Sequence, residues 1–126
     1  MKRILTILVS FILILMVSIT AYAGTSRIKW SDAPNHCGET ATVYGPVVDT
    51  NYAQYSNGGP TFINVGIAYP NSVFTVVIFD DARYKFTGAP ERMYYGKNIE
   101  VTGTIKWYKT YAEIIVKDPS QIKIVK

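Results

Sequence analysis

Two segments of the chain share the pattern Gly-x-x-x-x-Val-x-Gly, namely Gly38–Gly45 and Gly96–Gly103. Each has one glycine at the start of a β-favouring run and a second glycine inside it. A glycine inside a strand usually marks a bulge or a sharp bend. Small barrels need such bends because one strand must turn a corner to pair with two neighbours. We therefore predict that Gly45 and Gly103 are bend positions in a small β-rich fold, and Pro46 adds an interruption because it has no amide donor.

The rest of the chain after residue 38 is also dominated by β-favouring runs, which predict five principal strands. These are Thr40–Val48, Thr61–Val65, Val73–Phe79, Ile99–Tyr108 and Tyr111–Val116, with a short tail strand allowed at Ile122–Val125. Pro90 suits the first turn of a helix and Gly96 its C-terminal cap, so a single short helix is expected between the third and fourth strands. A further helical turn is expected at Ser31–His36, with Ser31 as its N-cap.

A bent first strand, five strands in all and a helix between the third and fourth describe an all-β, five-stranded OB-fold barrel. The chain from Trp30 to Val125 also resembles the bacterial OB-fold nucleic-acid-binding-like domains of exported proteins, which sometimes accompany nuclease modules. The segments that carry the resemblance are Gly38–Gly45, Phe62–Gly66, Tyr69–Asn71, Phe74–Ile78, Gly96–Gly103 and Asp118–Ile122. The resemblance implies the fold and a groove for single-stranded nucleic acid. One fold serves many functions, so the groove itself must decide the ligand.

The N-terminus has the three parts of a secretory signal peptide. Lys2 and Arg3 form a positive start, Ile4–Thr20 contains no charge, and Ala21-Tyr22-Ala23 is a small-residue exit. We expect residues 1–23 to be a signal peptide cleaved after Ala23, and residues 24–126 to form one secreted or periplasmic OB-fold domain. The alternative is a retained anchor, but the apolar stretch is at the short end of what crosses a bilayer. No stable membrane insertion is expected after cleavage.

Charge and cysteine content limit the function classes. Without Lys2 and Arg3 the chain has 11 basic and 9 acidic residues, a net charge of +2. This balance permits nucleic acid as a partner without requiring it. Cys37 is the only cysteine and cannot form an internal disulfide, so the domain must be held by its core alone. We expect Cys37 to be a half-buried free thiol, with an intermolecular disulfide as the alternative. We also expect a monomer.

Enzyme signatures are nearly absent, so neither an enzymatic activity nor a cofactor is predicted. The one histidine, His36, neighbours Cys37, which is poor geometry for a nucleophile and its base. Two such residues are also too few for a zinc site. Asp80-Asp81 follows an apolar strand and is better explained as a solvated strand exit than as a metal site.

Aromatic residues near two loops predict a ligand groove, because OB-folds use these loops and the faces of strands two and three for binding. Bases stack on aromatic rings and lysines neutralise phosphates. Strand alternation adds the outward positions of the second and third predicted strands. The candidate ligand-binding residues are Tyr52, Tyr55, Phe62, Asn64, Thr75, Phe79, Lys106, Trp107, Tyr108, Lys109 and Tyr111. Two interpretations of Trp107 stay open, ligand stacking and closure of the barrel end, and for Phe62 core packing is favoured.

The first functional hypothesis is an exported module that binds single-stranded nucleic acid through an aromatic, mildly basic groove. The alternative is an envelope or secreted domain that binds a protein or an oligosaccharide, for example in stress tolerance, since sugars also stack on tyrosine and tryptophan. Ile67-Ala68 and Thr110–Ala112 stand where the resemblance leads us to expect basic residues. Phosphate neutralisation dominates nonspecific affinity, so the loss of these charges predicts weak or redirected binding.

Overall fold

A computed structural model describes residues 25–126 of the chain. The expected signal peptide, residues 1–23, lies outside the described residues. Within residues 25–126 no helix is long and apolar enough to cross a membrane.

The described chain is mostly β, with seven strands and a few short helices. The strands are β1 Arg27–Lys29, β2 Thr40–Tyr52, β3 Thr61–Val65, β4 Phe74–Ile78, β5 Asn98–Tyr108, β6 Tyr111–Ile115 and β7 Ile122–Val125. The predicted count of five was therefore wrong. The tail strand β7 pairs antiparallel with β5, and β1 pairs parallel with β2. The sequence does not predict β1 as a strand, because its three residues adopt this conformation by pairing with β2.

The strands form one sheet in the order β1-β2-β3-β4-β6-β5-β7, and β2 also pairs with β5. The first half of β2, up to Pro46, pairs with β5, and the second half, from Val47, pairs with β3. The register shifts between Val47 and Asp49, which indicates a bulge. The predicted turn of one strand between two neighbours is thus present, and the bulge lies just beyond Gly45-Pro46.

Gly45 and Gly103 both occupy positions where a side chain would collide with its surroundings. A Cβ at Gly45 would strike the ring of Trp30, and one at Gly103 would lie 2.7 Å from Cγ2 of Ile114. Neither glycine has a positive φ, so close approach and not backbone conformation requires them.

Two short helices, rather than one, connect β4 to β5. They are α1, Asp80–Arg83, and α2, Pro90–Met93, and Pro90 begins its helix as the sequence predicts. Arg83 joins them with a two-pronged ion pair to Glu91, at 2.7 and 2.9 Å, and also donates to Thr61 on β3. The Arg83 guanidinium holds the pKa of the Glu91 carboxyl below its usual value.

Two 3₁₀ helices complete the described chain. The first, Trp30–His36, is the expected helical turn, but the predicted Ser31 cap was wrong because Lys29 precedes the helix and no side chain caps it. The second, Pro119–Gln121, is capped by the side chain of Asp118.

The hydrophobic core is formed mainly by apolar side chains of the strands. Side-chain alternation along β3 and β4 predicts correctly which of their residues belong to it. Phe74, Val76 and Ile78 on β4 and Ile63 and Val65 on β3 are fully buried. Further fully buried side chains come from β2, β5, β6 and the segment after β6: Val43, Ile99, Val101, Ile105, Ile114 and Val116. Thr75 and Val77, on the other face of β4, are also nearly inaccessible to solvent, at 1% and 2% exposed.

Candidate ligand-binding groove

A groove of about 1040 Å³ runs over the outer face of β3 and β4. It brings together seven of the residues that the sequence nominates: Phe62, Asn64, Thr75, Phe79, Tyr108, Lys109 and Tyr111. Val77, which strand alternation also places outside, lines the groove between them. Seven of the eleven nominated residues therefore line one groove.

The floor of the groove is a row of polar side chains on four neighbouring strands. Asp49 on β2 pairs in register with Asn64 on β3, Asn64 with Thr75 on β4, and Thr75 with Glu113 on β6. Thr75 Oγ1 donates to Asn64 Oδ1 at 2.7 Å, and Asn64 Nδ2 donates to Asp49 Oδ2 at 2.9 Å. This hydrogen-bonded row fixes the side chain of Asn64 in one orientation.

Asp49 also positions one wall of the groove. Its Oδ2 accepts a second hydrogen bond, from the backbone amide of Tyr69 at 3.1 Å. Tyr69 and Pro70, on the loop after β3, line the groove. The sequence prediction omitted Asp49 and Tyr69 as site residues, although Tyr69 belongs to a segment that carries the family resemblance.

Glu113 forms the far end of the row and was also missed. The residue is 8% exposed and lines the groove. Lys106 lies opposite it in the β5–β6 register, yet no hydrogen bond or ion pair to the Glu113 carboxyl is found among residues 25–126. Burial raises the pKa of this carboxyl, and the Lys106 ammonium only partly opposes that effect.

Three tyrosines, Tyr69, Tyr108 and Tyr111, line the groove, and Tyr111 interacts with Glu113 and with the other two. Tyr108 and Tyr111 pair across the β5–β6 hairpin, with ring centroids 5.8 Å apart and planes inclined by 60°. Burial raises the pKa of Tyr111, and the neighbouring Glu113, Tyr108 and Tyr69 add to the effect. Lys109 occupies the hairpin turn at φ 54°, with Nζ 5.4 Å from the centre of the Tyr108 ring. Phe62 and Phe79 also line the groove.

Four nominated residues do not line the groove. The guanidinium carbon of Arg83 lies 3.6 Å from the centre of the Tyr52 ring. The Tyr52 hydroxyl donates a hydrogen bond to Asp80 Oδ1 at 2.8 Å. Tyr55 is 95% exposed on its loop. Lys106 lies opposite Glu113 on β5 but does not line the groove.

Trp107, the fourth of these residues, pairs with the buried Ala112 and so belongs to the sheet face opposite Lys106 and Glu113. It is 57% exposed at the end of that face. The register of the β5–β6 hairpin therefore assigns the groove to Tyr108 and not to Trp107.

The remaining chemistry-bearing residues form no reactive cluster in the described part of the chain. His36 Nδ1 lies 2.8 Å from Glu39 Oε2, and Cys37 is a half-buried free thiol whose pKa is raised by burial. Asp80 and Asp81 begin α1 and line a second cavity of about 550 Å³ beside Phe79. No group of three or more His, Cys, Asp or Glu side chains that could hold a metal is found within residues 25–126.

Known proteins resemble this chain in fold and not in sequence. No protein-family model and no curated protein matches it. The solved structure of an aspartyl-tRNA synthetase from Entamoeba histolytica matches 83% of this chain at 14% identity, with a TM-score of 0.55. A protein from Leishmania major, assigned as an aspartyl-tRNA synthetase, matches 82% at 16% identity, with a TM-score of 0.51.

An OBody bound to hen egg-white lysozyme is 17% identical over 83% of this chain and 95% of that chain, with a TM-score of 0.48. The present chain spans 22% and 21% of the length of the two synthetases. At these identities the likeness shows the fold alone: the described chain is a mostly β domain of the OB-fold type.

Proposed function

We propose that the chain is an exported OB-fold module whose groove binds single-stranded nucleic acid. In this proposal β2, β3, β4, β6 and β5 act as the five-stranded barrel, residues 1–23 are removed on export, and the domain works as a monomer without catalysis. The resemblance to exported nucleic-acid-binding-like domains supports the same assignment.

The observation that carries the proposal is the combination of stacking rings with a fixed polar floor. Tyr69, Tyr108 and Tyr111 line the groove together with the polar row, and Tyr111 lies near Glu113 and the other two tyrosines. An unpaired base has a flat face for stacking and an edge with hydrogen-bond donors and acceptors. The groove thus supplies both kinds of contact that a base uses.

The charges of the groove predict weak binding. Lys109 lines it and Lys106 lies beside it, whereas the floor contains the carboxylates of Asp49 and Glu113. If both lysines contact phosphates, log affinity should fall with log salt by a slope of only about 1.4. Stacking and base-edge contacts, and not phosphate neutralisation, would then supply most of the affinity.

The two floor carboxylates also favour a second candidate, a neutral oligosaccharide. Sugar hydroxyls donate to carboxylates and sugar rings stack on tyrosine, and neither contact needs a cation. A fluorescence titration of the purified protein with twelve-nucleotide single strands and with neutral glycans, at several salt concentrations, separates the candidates. Oligonucleotide binding with a shallow salt dependence supports the proposal. Glycan binding without oligonucleotide binding refutes it.

A further inference from the structure

Glu113 presents to the groove a carboxyl that has no donor within the protein. The residue as a whole is 8% exposed and lines the groove, and no group within residues 25–126 donates a hydrogen bond to its carboxyl. No fully enclosed side-chain oxygen lacks a partner in this part of the chain, so the carboxyl oxygens of Glu113 are open to the groove. Because the residue is largely removed from bulk water, a ligand that supplies a hydrogen-bond donor to this carboxyl is favoured. In contrast, Asp49 at the other end of the floor accepts two hydrogen bonds.

The surroundings of Glu113 indicate a flat ligand rather than a lone ion. Tyr111 on β6 lies near the carboxyl, and Tyr108 on β5 and Tyr69 on the loop after β3 lie near Tyr111 and line the same groove. Lys106, which lies opposite Glu113 on β5, makes no ion pair with it within residues 25–126. A ligand that stacks on these rings would bring its edge to the carboxyl.

We infer that Glu113 selects bases that carry an exocyclic amino group over thymine and uracil. This inference rests on the proposed function. A carboxylate only accepts hydrogen bonds, and the N4 amino group of cytosine donates to Glu or Asp side chains. Thymine and uracil have carbonyl oxygens on both sides of their single ring N–H, and these oxygens are repelled by a carboxylate.

The test compares a twelve-nucleotide oligo-dC with a twelve-nucleotide oligo-dT at pH 7.5, by fluorescence anisotropy with the purified protein. We expect oligo-dC to bind at least about fivefold more tightly, the lower end of what one good base-edge contact supplies. In E113Q the preference should fall to less than about twofold, because an amide both donates and accepts. The control, D32N, removes the same charge at an exposed residue outside the groove and should keep the wild-type preference.

The outcomes separate this inference from the function on which it rests. If the wild-type protein binds both oligonucleotides equally, or if E113Q keeps the full preference, the role of Glu113 is refuted while nucleic-acid binding stands. If neither oligonucleotide binds, both proposals are refuted. A thermal melt of E113Q checks that any lost preference does not come from unfolding.

Discussion

Val43 on β2 lies directly opposite Val101 on β5, and the two residues hold the same position in the two Gly-x-x-x-x-Val-x-Gly segments. Pairing of equivalent residues in antiparallel strands creates a local two-fold axis. The backbone hydrogen bonds follow this symmetry. The amide of Gly38 donates to the carbonyl of Ile105, and the equivalent amide of Gly96 donates to the carbonyl of Val47. The repeated pattern therefore describes two halves of one strand pair.

The first prediction concerns the glycine at the centre of the β5 contact. Gly103→Ala should lower the free energy of unfolding by about 1–3 kcal/mol, because its Cβ would lie 2.7 Å from Ile114 Cγ2 in a packed core. Gly88→Ala is the matched control, since nothing lies closer than 3.6 Å to its added Cβ. Denaturant melts of both variants measure the difference. Equal losses would show that β5 and β6 move apart without cost.

Gly58, in the loop between β2 and β3, also resists substitution. Its φ is +78°, and an added Cβ would lie 2.9 Å from the Phe79 ring. Residues with side chains rarely adopt this conformation. Gly58→Val should therefore also destabilise the domain, through its backbone as well as its contacts.

The second prediction concerns Trp30, whose ring lies against the α-carbons of Gly45 and Gly66. Gly66→Ala should be strongly destabilising, because Gly66 has a positive φ of 82° and its Cβ would enter the Trp30 ring. In a Trp30→Ala background the steric part of this loss should disappear. A double-mutant cycle should give a coupling free energy of about 1–3 kcal/mol. Additive losses would mean that the ring moves aside freely.

The sheet face on which a strand residue lies could be predicted from the sequence, whereas its partner on the neighbouring strand could not. Alternation on β4 separates Phe74, Val76 and Ile78 from the groove-lining positions without any knowledge of partners. The floor row depends on which residues meet across four strands, and Asp49 joins it only after the bulge that follows Val47. The hairpin register likewise decides between Trp107 and Tyr108, because a shift of one residue exchanges the two faces.

The third prediction concerns the pH dependence that Glu113 introduces. Burial raises the folded-state pKa of this carboxyl above its ordinary value of 4.5, so the folded protein binds the proton more tightly than the unfolded chain does. Stability from this group is then highest at low pH and falls as the pH rises from about 4.5 through the folded-state pKa. The E113Q variant has no ionisable carboxyl at this position, so it does not lose this stability as the pH rises. Its Tm should exceed that of the wild type by a few degrees at pH 7.5 and by less at pH 4.

Tyr111 on β6 and Lys106 on β5 are the titratable groups that interact with the Glu113 carboxyl, and Tyr108 and Tyr69 interact in turn with Tyr111. D32N controls for the loss of one negative charge and should not show the same pH-dependent difference. If E113Q melts below the wild type at pH 7.5, the carboxylate has a stabilising partner that offsets its burial.

The fourth prediction concerns export. Protein recovered from the producing cell should begin at Gly24, because Ala21 and Ala23 are the small residues expected at a cleavage site. Intact-mass measurement of the soluble and membrane fractions tests this. A membrane-bound product that retains residues 1–23 would favour an anchor instead.

The last prediction assigns ligand stacking to Tyr108 and not to Trp107. Tyr108 lines the groove in contact with Tyr111, whereas Trp107 belongs to the opposite face of the sheet. Tyr108→Ala should weaken oligonucleotide binding by about 1–3 kcal/mol, as expected for the loss of one stacked base. Trp107→Ala, the matched control one residue away, should change the affinity less than twofold. Melting curves of both variants distinguish lost contacts from lost folding. If a folded Trp107→Ala variant loses binding while Tyr108→Ala keeps it, the ligand uses the other face and the groove assignment is wrong.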